Sequence, residues 1–273
     1  MTNPAALQMT DLIPGDVLLH MGTGELSKLI AWVGDSVYSH AAMVIPGNQL
    51  IEAAASGVRH AGLAERMRML RNFHYIDAFR PLRPTARDTV ERAALFAAAD
   101  VYLGRPYPMT SLLTLGIICA VRNKLPGDAS LHAALRMALD LVVRNDDSQV
   151  VCSELVYRAF EEASTRPPHG LRLPLTATPP SPTPLPRIDI AALMLECLDD
   201  YSRSRGRAAL AEATGTDTRD VEELLAQARA RLGVDSVVMS GGAGSTPNPK
   251  TVLPADLEFS PGLRRAGRLA MRA

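Results

Sequence analysis

The sequence lacks an excess of charge of either sign. Lys and Arg number 29, and Asp and Glu also number 29, so the formal net charge is zero. Aromatic residues make up only 4% of the chain. Proteins that bind nucleic acid need clustered cations for the phosphates, and binders of single strands add aromatic stacking surfaces. We therefore expect no nucleic-acid partner.

Cysteine is also scarce. The chain has three cysteines, Cys119, Cys152 and Cys197, with no Cys-x-x-Cys pair, which argues against a disulfide scaffold and a cysteine-rich zinc site. The six histidines form no His-x-x-x-His pattern, so we expect no metal. Neither a dinucleotide loop, a P-loop nor a Gly-x-Ser-x-Gly elbow is present. We expect no cofactor.

No hydrophobic run is long enough to cross a membrane. The longest, residues 109–121, is broken by Thr114 and Gly116, whereas a transmembrane helix needs roughly 20 apolar residues. Residues 1–8 have neither the basic start nor the apolar stretch of a signal peptide. The expectation is a cytoplasmic protein without a transmembrane segment, which would need another route if it acts outside the cell.

The hydrophobic pattern predicts a mixed α+β protein. A Pro14-Gly15-Asp16 turn precedes an apolar strand at 17–19, and residues 25–33 have helical spacing. Two strands, 37–45 and 50–54, flank a Pro-Gly-Asn turn. Further predicted elements are helices at 63–70, 86–103 and 148–163 and a short strand at 75–79. These elements suit an antiparallel sheet with packed helices.

A change in composition divides the chain. Residues 167–186 contain eight prolines, which are incompatible with a helix or a central strand. We interpret 10–164 together with 251–273 as the core and 165–250 as a proline-rich and helical insertion.

Cys152 is the first candidate for chemistry. It falls near the start of the predicted helix 148–163, on the same face as Leu155, Val156 and Ala159. A cysteine at a helix N-terminus can be a stabilised thiolate and hence a nucleophile. The alternative is that Cys152 is a small buried hydrophobic residue.

His40 and Glu52 are the candidates for its partners. If the hairpin pairs residue 45 with residue 49, Ala42 lies opposite Glu52, and Glu52 shares a face with His40 one diagonal step away. Glu52 could then orient the imidazole as the third member of a triad. The alternatives are a hydrogen-bonded core histidine for His40 and a solvated strand carboxylate for Glu52.

Five short motifs, taken in order, resemble a known family. They are Pro14-Gly15-Asp16-Val17-Leu18-Leu19, Ser39-His40-Ala41-Ala42-Met43-Val44, Ile51-Glu52-Ala53 with Val58, Leu103-Gly104-Arg105-Pro106-Tyr107, and Val151-Cys152-Ser153-Glu154-Leu155-Val156-Tyr157. A sixth segment, Leu253-Pro254-Ala255-Asp256-Leu257 with Ser260-Pro261, resembles a closing segment. The chain thus resembles the circularly permuted papain-like cysteine hydrolases of the NlpC-type clan, in the YiiX-like branch, because the histidine strand precedes the cysteine helix.

This resemblance implies a papain-like fold and a cysteine hydrolase. By resemblance Cys152 is the nucleophile, His40 the general base and acid, and Glu52 the residue that orients His40. The reaction would be acyl transfer through a thioester. Tyr38 and Tyr107 are candidate donors to the oxyanion or substrate.

The substrate stays open at this point. The resemblance implies an amide bond, as in peptidoglycan stem peptides, with an acyl-lipid ester as the alternative, as in relatives of the lecithin:retinol acyltransferase type. A third alternative is a lipid-binding protein without turnover. The apolar run 109–121 could line an acyl-chain pocket or be a plain core helix. A cell-wall substrate would require export, for instance as a secreted effector with delivery or immunity partners.

Overall fold

The computed structural model describes residues 6–33, 36–85, 87–107, 149–163, 171–175, 186–189, 192–193, 195–196, 249 and 252–269. The strands are β1 (Ala6–Leu7), β2 (Val17–Gly22), β3 (His40–Ile45), β4 (Gln49–Ala54), β5 (Gly57–Gly62), β6 (Phe73–Pro81) and β7 (Leu263–Leu269). The helices are α1 (Glu25–Val33), α2 (Leu63–Arg68), α3 (Thr89–Asp100), α4 (Cys152–Ala163) and α5 (Pro254–Glu258).

The described strands form one sheet of mixed direction. Their order is β1-β7-β6-β2-β3-β4-β5. Only the short β1 pairs in parallel, with β7, while the other neighbours pair antiparallel. The expectation of an α+β protein with an antiparallel sheet is confirmed at this level.

The β3–β4 hairpin has the register that the sequence predicts. Ile45 pairs with Gln49 and Ala42 pairs with Glu52. The turn between the strands places Gly47 and Asn48 at φ 81° and 55°, the left-handed region that Gly and Asn tolerate best. Turn chemistry and alternation therefore agree on one register, and Glu52 shares a face with His40.

Each face of the sheet has its own hydrophobic cluster. The larger cluster packs α3 and α4 against one face, with Leu19, Met43 and Phe160 among its buried members. The smaller cluster lies on the other face, where Leu18 and Leu63 pack with the N-terminal segment and α2. This two-sided covering agrees with the nearly continuous burial of the central strands β2 and β3.

Several predicted boundaries shift in the structure. Helix α3 occupies residues 89–100 of the predicted 86–103, and its chain then turns toward Gly104 at φ 80°. Helix α4 begins at Cys152 rather than residue 148. The predicted strand 75–79 is the centre of the longer β6, because pairing with both β2 and β7 extends it beyond its most apolar part.

Part of the predicted insertion is described and contacts the sheet-bearing core. Leu171 and Leu173 are buried in the larger cluster, and the Ser260 hydroxyl donates to the Pro174 carbonyl at 2.8 Å. Glu196 accepts from the first N–H groups of α1, those of Glu25 and Leu26. The apolar run 109–121, Cys119, Cys197 and most of 165–250 lie outside the described residues.

None of the helices within the described ranges combines the length and hydropathy that a membrane span requires.

Candidate active site

Cys152 lies buried at the first residue of α4. The neighbouring side chains anchor this end of the helix: the Ser153 hydroxyl donates to the Val252 carbonyl at 2.7 Å, and Glu154 accepts from the Val151 N–H at 3.3 Å. Leu155, Val156 and Ala159 are buried on the helix, as the spacing predicts. The thiol is therefore fixed at the positive end of a twelve-residue helix.

Within the part of the chain that the structure describes, His40, Ala41 and Tyr107 interact with the Cys152 sulfur. The His40 ring hydrogen-bonds with it, and the Ala41 N–H and the Tyr107 hydroxyl both donate to it. Burial raises the pKa of the Cys152 thiol, but the charge of His40 and these hydrogen bonds outweigh burial and lower it below its ordinary value. The surroundings of the sulfur thus favour a thiolate.

His40 lies between Cys152 and Glu52. Its Nε2 is 3.1 Å from Glu52 Oε2, so the ring nitrogen that remains for Cys152 is Nδ1. Burial lowers the pKa of His40, but Cys152 on one side and Glu52 on the other outweigh burial and raise it to about 9. The lowered thiol pKa and the raised imidazole pKa share one cause, the attraction between thiolate and imidazolium.

Glu52 is fully buried and ionised. Burial raises its pKa, but the hydrogen bond and charge of His40 and the charge of Arg66 hold the pKa well below its usual range. Oε2 accepts from Arg66 as well as facing His40, and Oε1 accepts from Arg59 at 3.1 Å. A buried carboxylate is retained only when it is paired in this way.

Three residues at this site, Arg59, Arg66 and His20, were not predicted from the sequence. Arg59 lies on β5 and is the Cα partner of Glu52 on β4. Strand β5 was not predicted from the sequence either, although the Ser56-Gly57 pair is typical of the turn that precedes it. Arg66 is on α2, and nothing in the sequence pattern ties it to Glu52. His20 on β2 is the Cα partner of His40, and their ring centroids are 5.2 Å apart.

His20 is buried, and neither ring nitrogen has a well-formed hydrogen bond, although the His40 backbone lies close enough to raise the His20 pKa slightly against the larger effects that lower it. Burial lowers its pKa well below the ordinary value, and the charges of His40 and Arg66 lower it further. The ring beside His40 is therefore neutral at physiological pH.

The two predicted tyrosines have different positions. Tyr107 contacts the thiol, and burial together with the charge of Cys152 raises its pKa well above the usual value. Tyr38 instead donates its hydroxyl to Asp77 at 2.6 Å and packs edge-on against Tyr75 and Phe79. A hydroxyl has one hydrogen to donate, so Tyr38 is engaged away from the thiol.

Among the residues that the structure describes, no group of three His, Cys, Asp or Glu side chains is placed to hold a metal ion.

Comparison with solved structures gives a distant likeness. No protein-family model matches the chain, and no curated protein matches it. A solved structure titled metalloprotein yiiX from Escherichia coli O157:H7 is similar at 19% identity and a TM-score of 0.38. The match covers 55% of this chain and 65% of that chain, just under two thirds of its length.

Proposed function

We propose that this protein is a cysteine hydrolase or acyltransferase in which Cys152 is the nucleophile, His40 the general base and acid, and Glu52 the residue that orients His40. The observation that carries the proposal is the unbroken contact from the thiol through the imidazole to the buried carboxylate. Such a chain is how nucleophile, base and orienting group are arranged in thiol and serine acyl transfer.

The resting site is an ion pair in this proposal. The pKa of Cys152 is lowered and that of His40 is raised to about 9, and both shifts favour a thiolate–imidazolium pair. Attack therefore needs no prior proton transfer from the sulfur. The thiolate adds to the substrate carbonyl carbon, and the carbonyl oxygen takes up the negative charge.

Two donors are available for that oxyanion. The Cys152 N–H is at the start of α4, where the first N–H groups of a helix have no partner within the helix. The Tyr107 hydroxyl donates to the resting sulfur. Once the sulfur bonds to the carbonyl carbon it loses its charge, and the hydroxyl becomes free to donate to the oxyanion of the tetrahedral intermediate.

Collapse of the tetrahedral intermediate requires a proton for the leaving group. His40 transfers its Nδ1 proton to the departing amine as the carbon–nitrogen bond breaks, leaving a thioester and a neutral imidazole. The neutral imidazole then takes a proton from water as the water oxygen attacks the thioester. Cleavage of the carbon–sulfur bond releases the acid and restores the ion pair.

A histidine that stays protonated favours an amide substrate. An amine is a poor leaving group unless it is protonated, and His40 holds its proton up to about pH 9. We therefore retain the amide as the proposed substrate, with peptidoglycan stem peptides as the instance that the sequence resemblance suggests. The same resemblance assigns the core to the permuted papain-like architecture, with 165–250 as an insertion.

The proposal is tested by the pH dependence of cysteine alkylation. Mass spectrometry would follow iodoacetamide on each of the three cysteines in the wild type and in Cys152→Ala, His40→Ala and His60→Ala. We expect Cys152 to react fast at pH 6.5 and about a hundredfold more slowly in His40→Ala, since an ordinary thiol with a pKa of about 8.5 is about 1% ionised there.

His60→Ala is the matched control. His60 also pairs with a carboxylate, Asp100 at 2.8 Å, but on the surface, so its removal should leave the Cys152 rate unchanged. Slow alkylation of Cys152 in the wild type, unaffected by His40→Ala, would overturn the proposal and favour a binding protein. Peptide amides and acyl esters offered to the wild type and Cys152→Ala then separate the two substrate classes through the thioester adduct mass.

A further inference from the structure

Five side chains, His40 among them, form a closed ring of contacts. His40 faces Glu52 Oε2 at 3.1 Å, and that same oxygen accepts from Arg66. The Arg66 guanidinium lies 5.3 Å over the Phe73 ring, and Phe73 packs at 5.2 Å against His20. His20 in turn packs at 5.2 Å against His40.

The ring contains one shared atom. Glu52 Oε2 serves both His40 and Arg66, whereas Arg59 takes the other oxygen. Two cations held at one oxygen lie close together and repel each other, which offsets part of the attraction of the carboxylate for each of them. Arg66 is only 11% exposed, so solvent screens its charge weakly.

We propose that Arg66 is a positioning residue that fixes Glu52 through the oxygen it shares with His40 and limits how strongly Glu52 holds the charged imidazole. The inference rests on the proposed role of His40. A site without this limit would hold the imidazolium so tightly that proton transfer to the leaving group would be disfavoured. Arg66 thus allows Glu52 to orient the imidazole while the imidazolium stays acidic enough to protonate the leaving group.

The described residues place charged and titratable groups against His40 from several elements. Glu52 on β4 attracts the imidazolium, as does the Cys152 thiolate on α4. Arg66 on α2 binds the same carboxylate oxygen, so its like charge repels the imidazolium, and neutral His20 on β2 contributes a ring without charge. Arg59 on β5 is bound to Glu52 from the surface, with half of its side chain exposed.

The test is an NMR titration of the His40 ring in a Cys152→Ser background, with the signal assigned by its loss in His40→Gln. Arg66→Met removes the charge and keeps an unbranched stem to pack on Phe73. We expect the His40 pKa to rise by about one pH unit relative to the parent. Arg66→Lys restores the charge and should return the pKa close to the parent value.

Arg59→Met is the matched control, because it removes an equal charge from the same carboxylate at an exposed position. We expect a shift of less than about 0.3 pH unit there. Circular dichroism checks folding, and Arg66→Gln, which keeps a neutral donor, replaces Arg66→Met if that variant is unfolded. An unchanged or lowered His40 pKa in the folded charge-free variant, or an equal shift in Arg59→Met, overturns the proposal.

The titration separates this inference from the proposed function. If alkylation of Cys152 depends on His40 but the His40 pKa does not change when Arg66 is replaced, the positioning role fails and the proposed function stands. If the His40 pKa responds to Arg66 while Cys152 is unreactive, the proposed function fails and the Arg66–Glu52–His40 coupling stands.

Discussion

His20 combines complete burial with two ring nitrogens that have no well-formed hydrogen bond. Leaving a buried donor unpaired costs about 1–3 kcal/mol, and a leucine or phenylalanine would avoid that cost. The position of His20 against both His40 and Phe73 gives the ring a role in packing beside the imidazolium without adding charge. An apolar ring of similar size should fill the same space at lower cost.

Replacing His20 by Phe should stabilise the protein, and more so in acid. The His20 pKa is lowered by burial and by the charges of His40 and Arg66. An unfolded histidine takes up a proton below about pH 6.5, but folded His20 does not, so the unfolded state binds more protons and wild-type stability falls as the pH drops. We expect the free energy of unfolding of His20→Phe, measured in urea, to exceed that of the wild type by about 1 kcal/mol at pH 8 and by more at pH 5.

Groups that both proteins contain, such as His40, contribute equally to the pH dependence of the wild type and of His20→Phe and cancel in the difference. A stability difference that is equal at pH 5 and pH 8 would contradict a neutral, buried His20.

At the scale of elements, the start of β5 positions Tyr107. The Val58 N–H donates to the Arg105 carbonyl at 2.8 Å, and the Gly104 N–H donates back to the Val58 carbonyl at 2.9 Å. Gly57, at φ 97°, lies against this segment, where an added Cβ would be 2.8 Å from the Arg105 oxygen. The close approach of strand and segment therefore requires glycine.

Gly57→Ala should separate β5 from the segment that contains Tyr107. We expect a loss of about 2 kcal/mol in unfolding free energy from the positive φ and the clash. Alkylation of Cys152 at pH 6.5 should slow severalfold, because the thiolate loses the Tyr107 donor. Urea unfolding and the alkylation rate measure the two effects.

Gly47→Ala provides the comparison for this variant. Gly47 also has a positive φ, but a Cβ there would meet nothing within 4 Å. It should lose stability through backbone strain alone and keep the wild-type alkylation rate. Equal slowing in both variants would show that strain, not the position of Tyr107, affects the thiol.

At the scale of the molecule, Asp77 joins distant parts of the chain. It is buried on β6 and accepts from the Tyr38 hydroxyl and from Arg265 and Arg268 of β7. Asp77 and Arg268 are also Cα partners in the β6–β7 ladder. Burial raises the pKa of Asp77, but the hydrogen bonds of Arg268 and Tyr38 outweigh it and lower the pKa. The ion pairs of Asp77 and the backbone pairing together hold β7 against β6.

Asp77→Asn should destabilise the whole fold. Asp77 is buried, whereas Arg265 and Arg268 are 42% and 36% exposed, so removing its charge should cost about 1–2 kcal/mol, less than breaking a fully buried ion pair. Because the folded pKa is lowered, the stabilisation is present above the unfolded value of about 3.9 and is lost as the pH falls through the folded value. We expect the deficit of Asp77→Asn in urea unfolding to be large at pH 7 and to shrink toward pH 2.

Asp100→Asn is the control for that measurement. Asp100 pairs with His60 and is 46% exposed, so its removal should cost less than about 1 kcal/mol. A deficit of Asp77→Asn that stays constant from pH 7 to pH 2 would contradict the ionic role of Asp77.

Much of the candidate site follows from local sequence signals. Glu52 could be placed beside His40 because the Pro46-Gly47-Asn48 turn and the alternation of β3 and β4 allow one register. Cys152 could be placed at a helix start because the following apolar residues repeat at helical spacing. The contact between His40 and Cys152, 112 residues apart in the printed sequence, was accessible only through the family resemblance.

The sequence by itself indicated most of the elements, though not β5 or β7, together with a β3–β4 register that places Glu52 beside His40 and the residue types of the site, since periodicity and turn chemistry act over a few residues. Only the tertiary structure decided that His20 pairs across β2 and β3, that Arg66 shares an oxygen of Glu52, and that Tyr38 donates to Asp77. Those contacts join residues that are separated in the chain by other helices and strands. The periodicity of the sequence contains no information about which of these distant residues meet. Long-range pairing is chosen by how the whole chain buries its apolar faces and neutralises its buried charges.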